Sequence, residues 1–173
     1  MSNMNYSPYG ILKKLGEDLT NSLNCISVKF WNVYGVENNL EKSHVITDFI
    51  LKGLKSNIVK METNGIEQRD FLYAEDCCEA LEKIMNNFNK FKNKRIIDLY
   101  YGKYISIKLL AKIISMNFSK YGKRVKFIPN KNVSDKVQNN LLNKGDNYFF
   151  KYWKPKYSLE SGIKKIFEYY LNK

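Results

Sequence analysis

The sequence predicts an α/β fold, and three observations carry that prediction. Segments with apolar residues three and four apart alternate along the chain with short runs rich in β-branched and aromatic residues. The 173 residues are 44% hydrophobic and 14% aromatic, which suffices for a sizeable core. No internal repeat or low-complexity linker breaks the alternation, so helices are expected to layer against sheet.

The elements follow in order. Ser7 to Asn24 reads as a helix with Ile11, Leu12, Leu15, Leu19 and Leu23 on one stripe. CISVKFW is a strand in which Ile26, Val28 and Phe30 alternate, and Asn32-Val33-Tyr34-Gly35 is the turn that ends it. Ser43 is the expected cap of a helix through Lys55, with Val45, Ile46, Phe49, Ile50 and Leu54 inward. Ile58 to Met61 is a short strand, Asn64-Gly65 a turn, and Arg69 to Tyr73 another extended piece. Asp76 is expected to cap a helix to about Phe88 that buries Cys77, Leu81, Ile84 and Met85.

Arg95 to Tyr100 reads as a strand that, like CISVKFW, is apolar enough to be buried on both faces of a parallel sheet. Ser106 opens a helix carrying Leu109, Leu110, Ile113 and Ile114, which ends near Gly122. Val125 to Ile128 is extended and Pro129 stops it. Residues 130–147 are polar and loop-like. Ser158 caps the last helix, whose apolar face is Ile163, Ile166, Phe167, Tyr170 and Leu171.

Composition excludes several function classes. Lys and Arg number 29 against 17 Asp and Glu, a net charge of +12 that invites phosphate ligands. Only Arg69, Arg95 and Arg124 are arginines, and the lysines are spread along the chain. Base-reading surfaces lean on clustered guanidinium forks, so nucleic acid is disfavoured as a partner. The single histidine, His44, excludes an HExxH helix and a two-histidine finger. Cys25, Cys77 and Cys78 lack zinc-knuckle spacing and are odd in number, so neither a metal site nor a disulfide framework is expected. They read as reduced, mostly buried thiols of a cytoplasmic protein. No apolar run of about 18 residues occurs, which disfavours a membrane span.

Tyr9 and Lys13 sit four apart on the first helix, which puts both on one face. An ammonium beside a phenol favours the phenolate, so such a pair can move a proton to or from a hydroxyl group. By itself the spacing carries no assignment, because the chain has 13 tyrosines and many lysines.

The order of motifs is more specific. Tyr9-x-x-x-Lys13 with Gly16-Glu17 comes first, then Asn32-x-Tyr34-Gly35, then Arg69-Asp70-Phe71 with Asp76. Tyr152-Trp153-x-Pro155 and Ser158-Leu159-Glu160-x-Gly162 close the series. This succession resembles the extended short-chain dehydrogenase/reductases, the nucleotide-sugar epimerase/dehydratase family, over almost the whole chain. The family's opening G-x-x-G-x-x-G turn, which receives the dinucleotide pyrophosphate, has no counterpart here: the nine glycines are never closer than six apart. The resemblance therefore implies the C-terminal half of such an enzyme. Residues 1–36 and about 68–105 would be the closing part of a Rossmann-like parallel sheet, without the N-terminal dinucleotide-binding part. Residues 37–67 and 106–173 would form the smaller α/β substrate-binding domain.

By the same resemblance, Tyr9 is the acid/base, and Lys13 lowers its proton affinity and holds the nicotinamide ribose. Phe30 and the residues after it line the nicotinamide, Asn32 bonds the substrate, and Arg69 pairs with the diphosphate; His44, near the start of its helix, is in reach of the nucleotide, although a lone histidine is more often structural. The cofactor is NAD or NADP in the intact enzyme, with neither bound tightly by this chain alone. Expected partners are a nucleotide-diphosphate sugar and a separate N-terminal half or a homodimer partner. Val36 replaces the proline usual after N-x-Y-G, and Lys131 or Asn132 stands where a second basic residue usually contacts the diphosphate. The residues themselves leave other roles open: an ion pair with Glu67 or Asp70 for Arg69, turn formation for Asn32, and helix capping for Asp76. A non-catalytic remnant that binds nucleotide sugar or a partner chain is the main rival, and a basic nucleic-acid module the weaker one.

Overall fold

The computed structural model describes residues 8–39, 41, 43–135 and 145–172. In chain order the elements are α1 (Pro8–Ser22), β1 (Ser27–Phe30), β2 (Asn32–Tyr34), α2 (Val45–Lys55), β3 (Ile58–Lys60) and β4 (Gln68–Tyr73). They continue with α3 (Ala74–Asn86), α4 (Phe88–Phe91), β5 (Ile96–Leu99), β6 (Tyr104–Ser106), α5 (Ile107–Lys120), β7 (Lys126–Ile128) and α6 (Leu159–Leu171). Three parallel pairs form: β1 with β5, β2 with β4, and β3 with β7. β6 adds to the other edge of β4 in antiparallel register. Parallel partners need long crossover connections, and here helices supply them.

Strand β4 separates two cores. Successive side chains of a strand point to opposite faces, so Phe71 and Tyr73 join one cluster and Leu72 the other. The first cluster is built on α2, α5 and α6, where Ile50, Leu110, Ile114, Ile163, Ile166 and Phe167 are fully buried. The second packs α3 and α4 on β5, with Phe91, Ile97 and Leu99 against Phe149 and Trp153.

Ser106 and Ser158 cap as the sequence indicates, accepting from the N–H groups of Leu109 at 3.1 Å and Ser161 at 3.2 Å. Other expectations need correction. Asn32–Tyr34 is strand rather than turn, because its backbone pairs with Phe71–Tyr73. The α2 cap position belongs to His44, not Ser43, and no side chain bonds there. Tyr73 holds that position on α3; Asp76 lies inside the first turn, and its carboxylate accepts from the N–H groups of Lys156 and Tyr157 at 2.9 and 3.0 Å. Met85 is exposed, since α3 turns that flank outward. Of the cysteines only Cys77 is buried; Cys25 and Cys78 are exposed. Strand β6 carries no signal in the sequence. Its three residues are too few to show a period. Ser7 and residues 136–144 of the loop-like stretch lie outside the described residues.

Candidate active site

A cavity of about 700 Å³ opens beside the β2–β4 pair. The passage from β1 into β2 contributes Phe30, Trp31 and Asn32, and β4 contributes Arg69 and Phe71. His44 to Ile46, at the start of α2, form another wall, and Thr63, Glu67 and Asp135 come from the connecting segments.

The wall is organised by the Arg69-Asp70 dipeptide, whose side chains leave the strand on opposite faces. Asp70 is fully buried and its oxygens accept from the backbone N–H groups of Tyr101 and Gly102 at 2.6 Å and Lys103 at 2.8 Å. Burial pushes this carboxyl above its ordinary range, against the pull of those three donors. The turn that supplies them needs Gly102, whose φ is 94°. Asp70 thereby fixes the β5–β6 turn to β4, and Arg69 is left to face the cavity. Its Nη2 donates to Asp135 Oδ2 at 2.6 Å and its Nη1 to the Gln68 carbonyl at 2.9 Å. The ion pair weighed from sequence, with Glu67 or Asp70, is thus replaced by one with Asp135, 66 residues along the chain.

Asn32 opens strand β2 instead of turning the chain. Its Nδ2 donates to the Asp70 carbonyl at 3.0 Å, which holds the amide at the cavity edge. His44 is mostly exposed; its backbone N–H donates to Glu37 Oε2 at 3.0 Å and its ring Nδ1 meets Oε1 of the same carboxylate. Burial alone would push Glu37 up, but the hydrogen bonds from His44 and Thr47 outweigh it and hold the carboxyl below its usual range. Phe30 is half exposed at the end of β1.

Phe30, Asn32, His44 and Arg69 therefore share one cavity, whereas Tyr9 and Lys13 lie outside its wall. Tyr9 is 71% exposed on α1, with the Lys13 ammonium 5.4 Å from its ring centroid. Glu67 and Asp135 were not placed in the site by sequence. A signal existed for Glu67, which stands two residues before Arg69 and so on the same face of an extended chain.

Parallel strands linked through helices, with an arginine-bearing cavity beside one pair, define a Rossmann-like α/β protein. The profile described as "NAD dependent epimerase/dehydratase family" matches residues 4–99, and the chain belongs to that family. A GDP-L-fucose synthase of Sinorhizobium fredii is 31% identical over 156 residues, covering 86% of this chain and 48% of that protein. A candidate UDP-glucose 4-epimerase of Methanocaldococcus jannaschii is 29% identical across 96% of this chain and 54% of its own length. The fold of the Thermotoga maritima UDP-glucose 4-epimerase, solved with UDP-glucose, superposes with a TM-score of 0.76 at 22% identity, over 96% of this chain and 54% of that one. The chain spans about half the length of the curated relatives it matches. Among the described residues, no helix is long and apolar enough to cross a membrane.

The family's name implies a dinucleotide cofactor. Tyr9 with the Lys13 ammonium on α1, and the half-exposed Phe30 at the end of β1, stand at the surface. No glycine-rich turn in this sequence suits the pyrophosphate.

Proposed function

We propose that this chain carries the acid/base pair and the sugar-nucleotide side of an NAD(P)-dependent nucleotide-sugar epimerase or dehydratase of the cytoplasm. Polypeptide outside these 173 residues would hold the dinucleotide pyrophosphate. Residues 1–36 and about 68–105 are assigned to the cofactor side, and 37–67 and 106–173 to the substrate side. The observation that carries the reading is Arg69, a guanidinium held in a cavity that it shares with Asn32, His44 and Phe30. Arginine offers parallel donors that match phosphate oxygens.

In this reading Arg69 binds the diphosphate and Asn32 orients the sugar, with His44 at the cavity rim. Tyr9 takes or gives the proton of a sugar hydroxyl, and Lys13 beside it favours the phenolate and reaches the nicotinamide ribose. The dinucleotide, when bound, supplies the redox step. The exposed positions of Tyr9 and Lys13, outside the cavity wall, suit a second reading in which the chain binds nucleotide sugar without turnover.

Kinetics on the assembled enzyme separate the two. Tyr9→Phe is expected to lower turnover about 10²–10⁴-fold with KM little changed. Full turnover in that variant would remove Tyr9 from the chemistry. Calorimetric titration of the 173-residue chain with NAD and NADP is expected to show no tight binding, and micromolar affinity for either would contradict the division of labour proposed.

A further inference from the structure

The cavity wall departs from the charge of the chain. Lys and Arg exceed Asp and Glu by 12, yet no lysine lines the cavity among the described residues. Its basic lining residues are Arg69 and His44, and its acidic ones are Glu62, Glu67 and Asp135. Glu62 is exposed and Glu67 is buried against the Thr63 hydroxyl. Asp135 is the carboxylate that meets the guanidinium, at 2.6 Å, and both side chains of that pair keep some exposure to the cavity.

Backbone bonds bring Asp135 there. The Asn130 N–H donates to the Thr63 carbonyl at 2.9 Å and the Asn64 N–H to the Val133 carbonyl at 2.8 Å, which ties residues 130–133 to the turn before β4. Asp135 stands two positions beyond that tie. An ion pair at this exposure adds little net stability, because lost hydration offsets the attraction. Its effect on a ligand is larger. A guanidinium carries five N–H donors. Asp135 and the Gln68 carbonyl are its acceptors among the described residues. A phosphate can therefore bind Arg69 without evicting Asp135, and two anions on one guanidinium lie about 4–5 Å apart.

We propose that Asp135 sets the charge the cavity accepts, selecting a diphosphate esterified at both ends over a free nucleoside diphosphate. This rests on the assignment of the diphosphate to Arg69. The two ligands share the base, the ribose and both phosphate groups, and differ at the outer end. The doubly esterified form carries one negative charge per phosphate. In the free nucleoside diphosphate the terminal phosphate loses a second proton at about pH 6, which adds about one charge at neutral pH. One more charge about 4 Å from a carboxylate weakens binding about fivefold even at the dielectric of bulk water, and more where side chains displace water. Asp135 therefore penalises the free nucleoside diphosphate, and with no lysine among the described lining residues nothing offsets the penalty.

The test is calorimetric titration of the 173-residue chain with UDP and UDP-glucose at about pH 7.5, for wild type, Asp135→Asn and Arg69→Ala, each first shown to melt cooperatively. Asparagine keeps an acceptor for Arg69 and removes the charge. It should tighten UDP about fivefold or more, a gain at least about threefold larger than that on UDP-glucose. Base and sugar contacts cancel in this ratio, because they are the same in both proteins. Asp135→Ser, which also removes the charge, should move the ratio in the same direction. Weaker binding of both ligands to Asp135→Asn would make Asp135 a residue that only orients Arg69, and equal gains would remove charge selection; either result overturns the proposal. In those cases, loss of binding in Arg69→Ala would leave the diphosphate reading standing. Unchanged affinity in Arg69→Ala would take that reading down too, and if neither ligand binds the folded wild-type chain, both fall.

Discussion

Helices α1 and α6 carry the same kind of apolar stripe and end in opposite environments. α6 buries Leu159, Gly162, Ile163, Ile166, Phe167 and Tyr170 against α2, α5 and β4. α1 buries no residue, and Ile11, Leu12, Leu15, Leu19 and Leu23 are 54–67% exposed. Its described polar ties to the rest of the chain are on the surface, among them Glu17 with Lys29 at 3.0 Å and Arg95 with the Asn21 carbonyl. The contrast teaches that periodicity says which face seeks cover, not what covers it. A row of exposed leucines is apolar surface of the kind that a partner would cover. In the proposed reading, that surface receives the dinucleotide-binding part.

The largest effect expected from this contrast is on stability. Phe167 is fully buried, with its ring 4.6 Å from that of Phe118. Phe167→Ala should cost about 3–5 kcal/mol in urea denaturation. Leu15→Ala should change stability by no more than about 0.5 kcal/mol. A Leu15 cost approaching that of Phe167 would mean that the α1 face is covered in solution.

The thiols draw the same distinction chemically. Cys25, just past α1, is exposed, whereas Cys77 in α3 is buried and its thiol is pushed from 9.0 up to about 11 by that burial. The folded chain thus keeps a proton that the unfolded chain releases, so stability is unaffected below pH 9 and falls as pH rises through 9 to 11. The loss from this group is up to about 3 kcal/mol. Tyr73 and Tyr100, whose phenols burial also pushes up, act in the same direction at higher pH. Denaturation midpoints between pH 8 and 10 should decline less steeply for Cys77→Ser; an unchanged slope would exclude Cys77 as a source.

Gly162 and Gly16 differ in the same way. A Cβ on Gly162 would lie 2.2 Å from the Tyr34 hydroxyl and 3.0 Å from the Tyr73 ring, whereas one on Gly16 would meet nothing within 4 Å. Gly162→Ala should therefore cost about 1–3 kcal/mol through overpacking. Gly16→Ala should stabilise by up to about 1 kcal/mol, the gain in helix propensity. The smallest effect concerns association. The unmodified chain should scatter light as an oligomer at high concentration, through the α1 stripe and the edge of β1 that pairs with no strand among the described residues. Leu15→Glu together with Leu19→Glu should shift it toward monomer. A wild-type chain that is already monomeric would remove the α1 face as a sticky surface.

Much of this was legible in the residues. The apolar spacing of α2, α5 and α6, the serine caps of α5 and α6, and the order of the Tyr-Lys, Asn-x-Tyr-Gly and Arg-Asp-Phe motifs are local features, set by interactions within a few positions. Such features survive reading one residue after another. The polar partners did not. Arg69 meets Asp135 rather than its neighbours, and Asp76 takes two backbone donors 80 and 81 residues away instead of capping its helix. Glu67 turns one oxygen into a place without a donor. These pairings depend on which segments the cores bring together, and hydrogen bonds reach only about 3 Å. Local pattern in the residues was enough for the class of fold, for the helices and most of the strands, and for the family. Which apolar face stays open and which carboxylate faces the guanidinium were settled by the packing of the cores, because both depend on segments far apart in the chain.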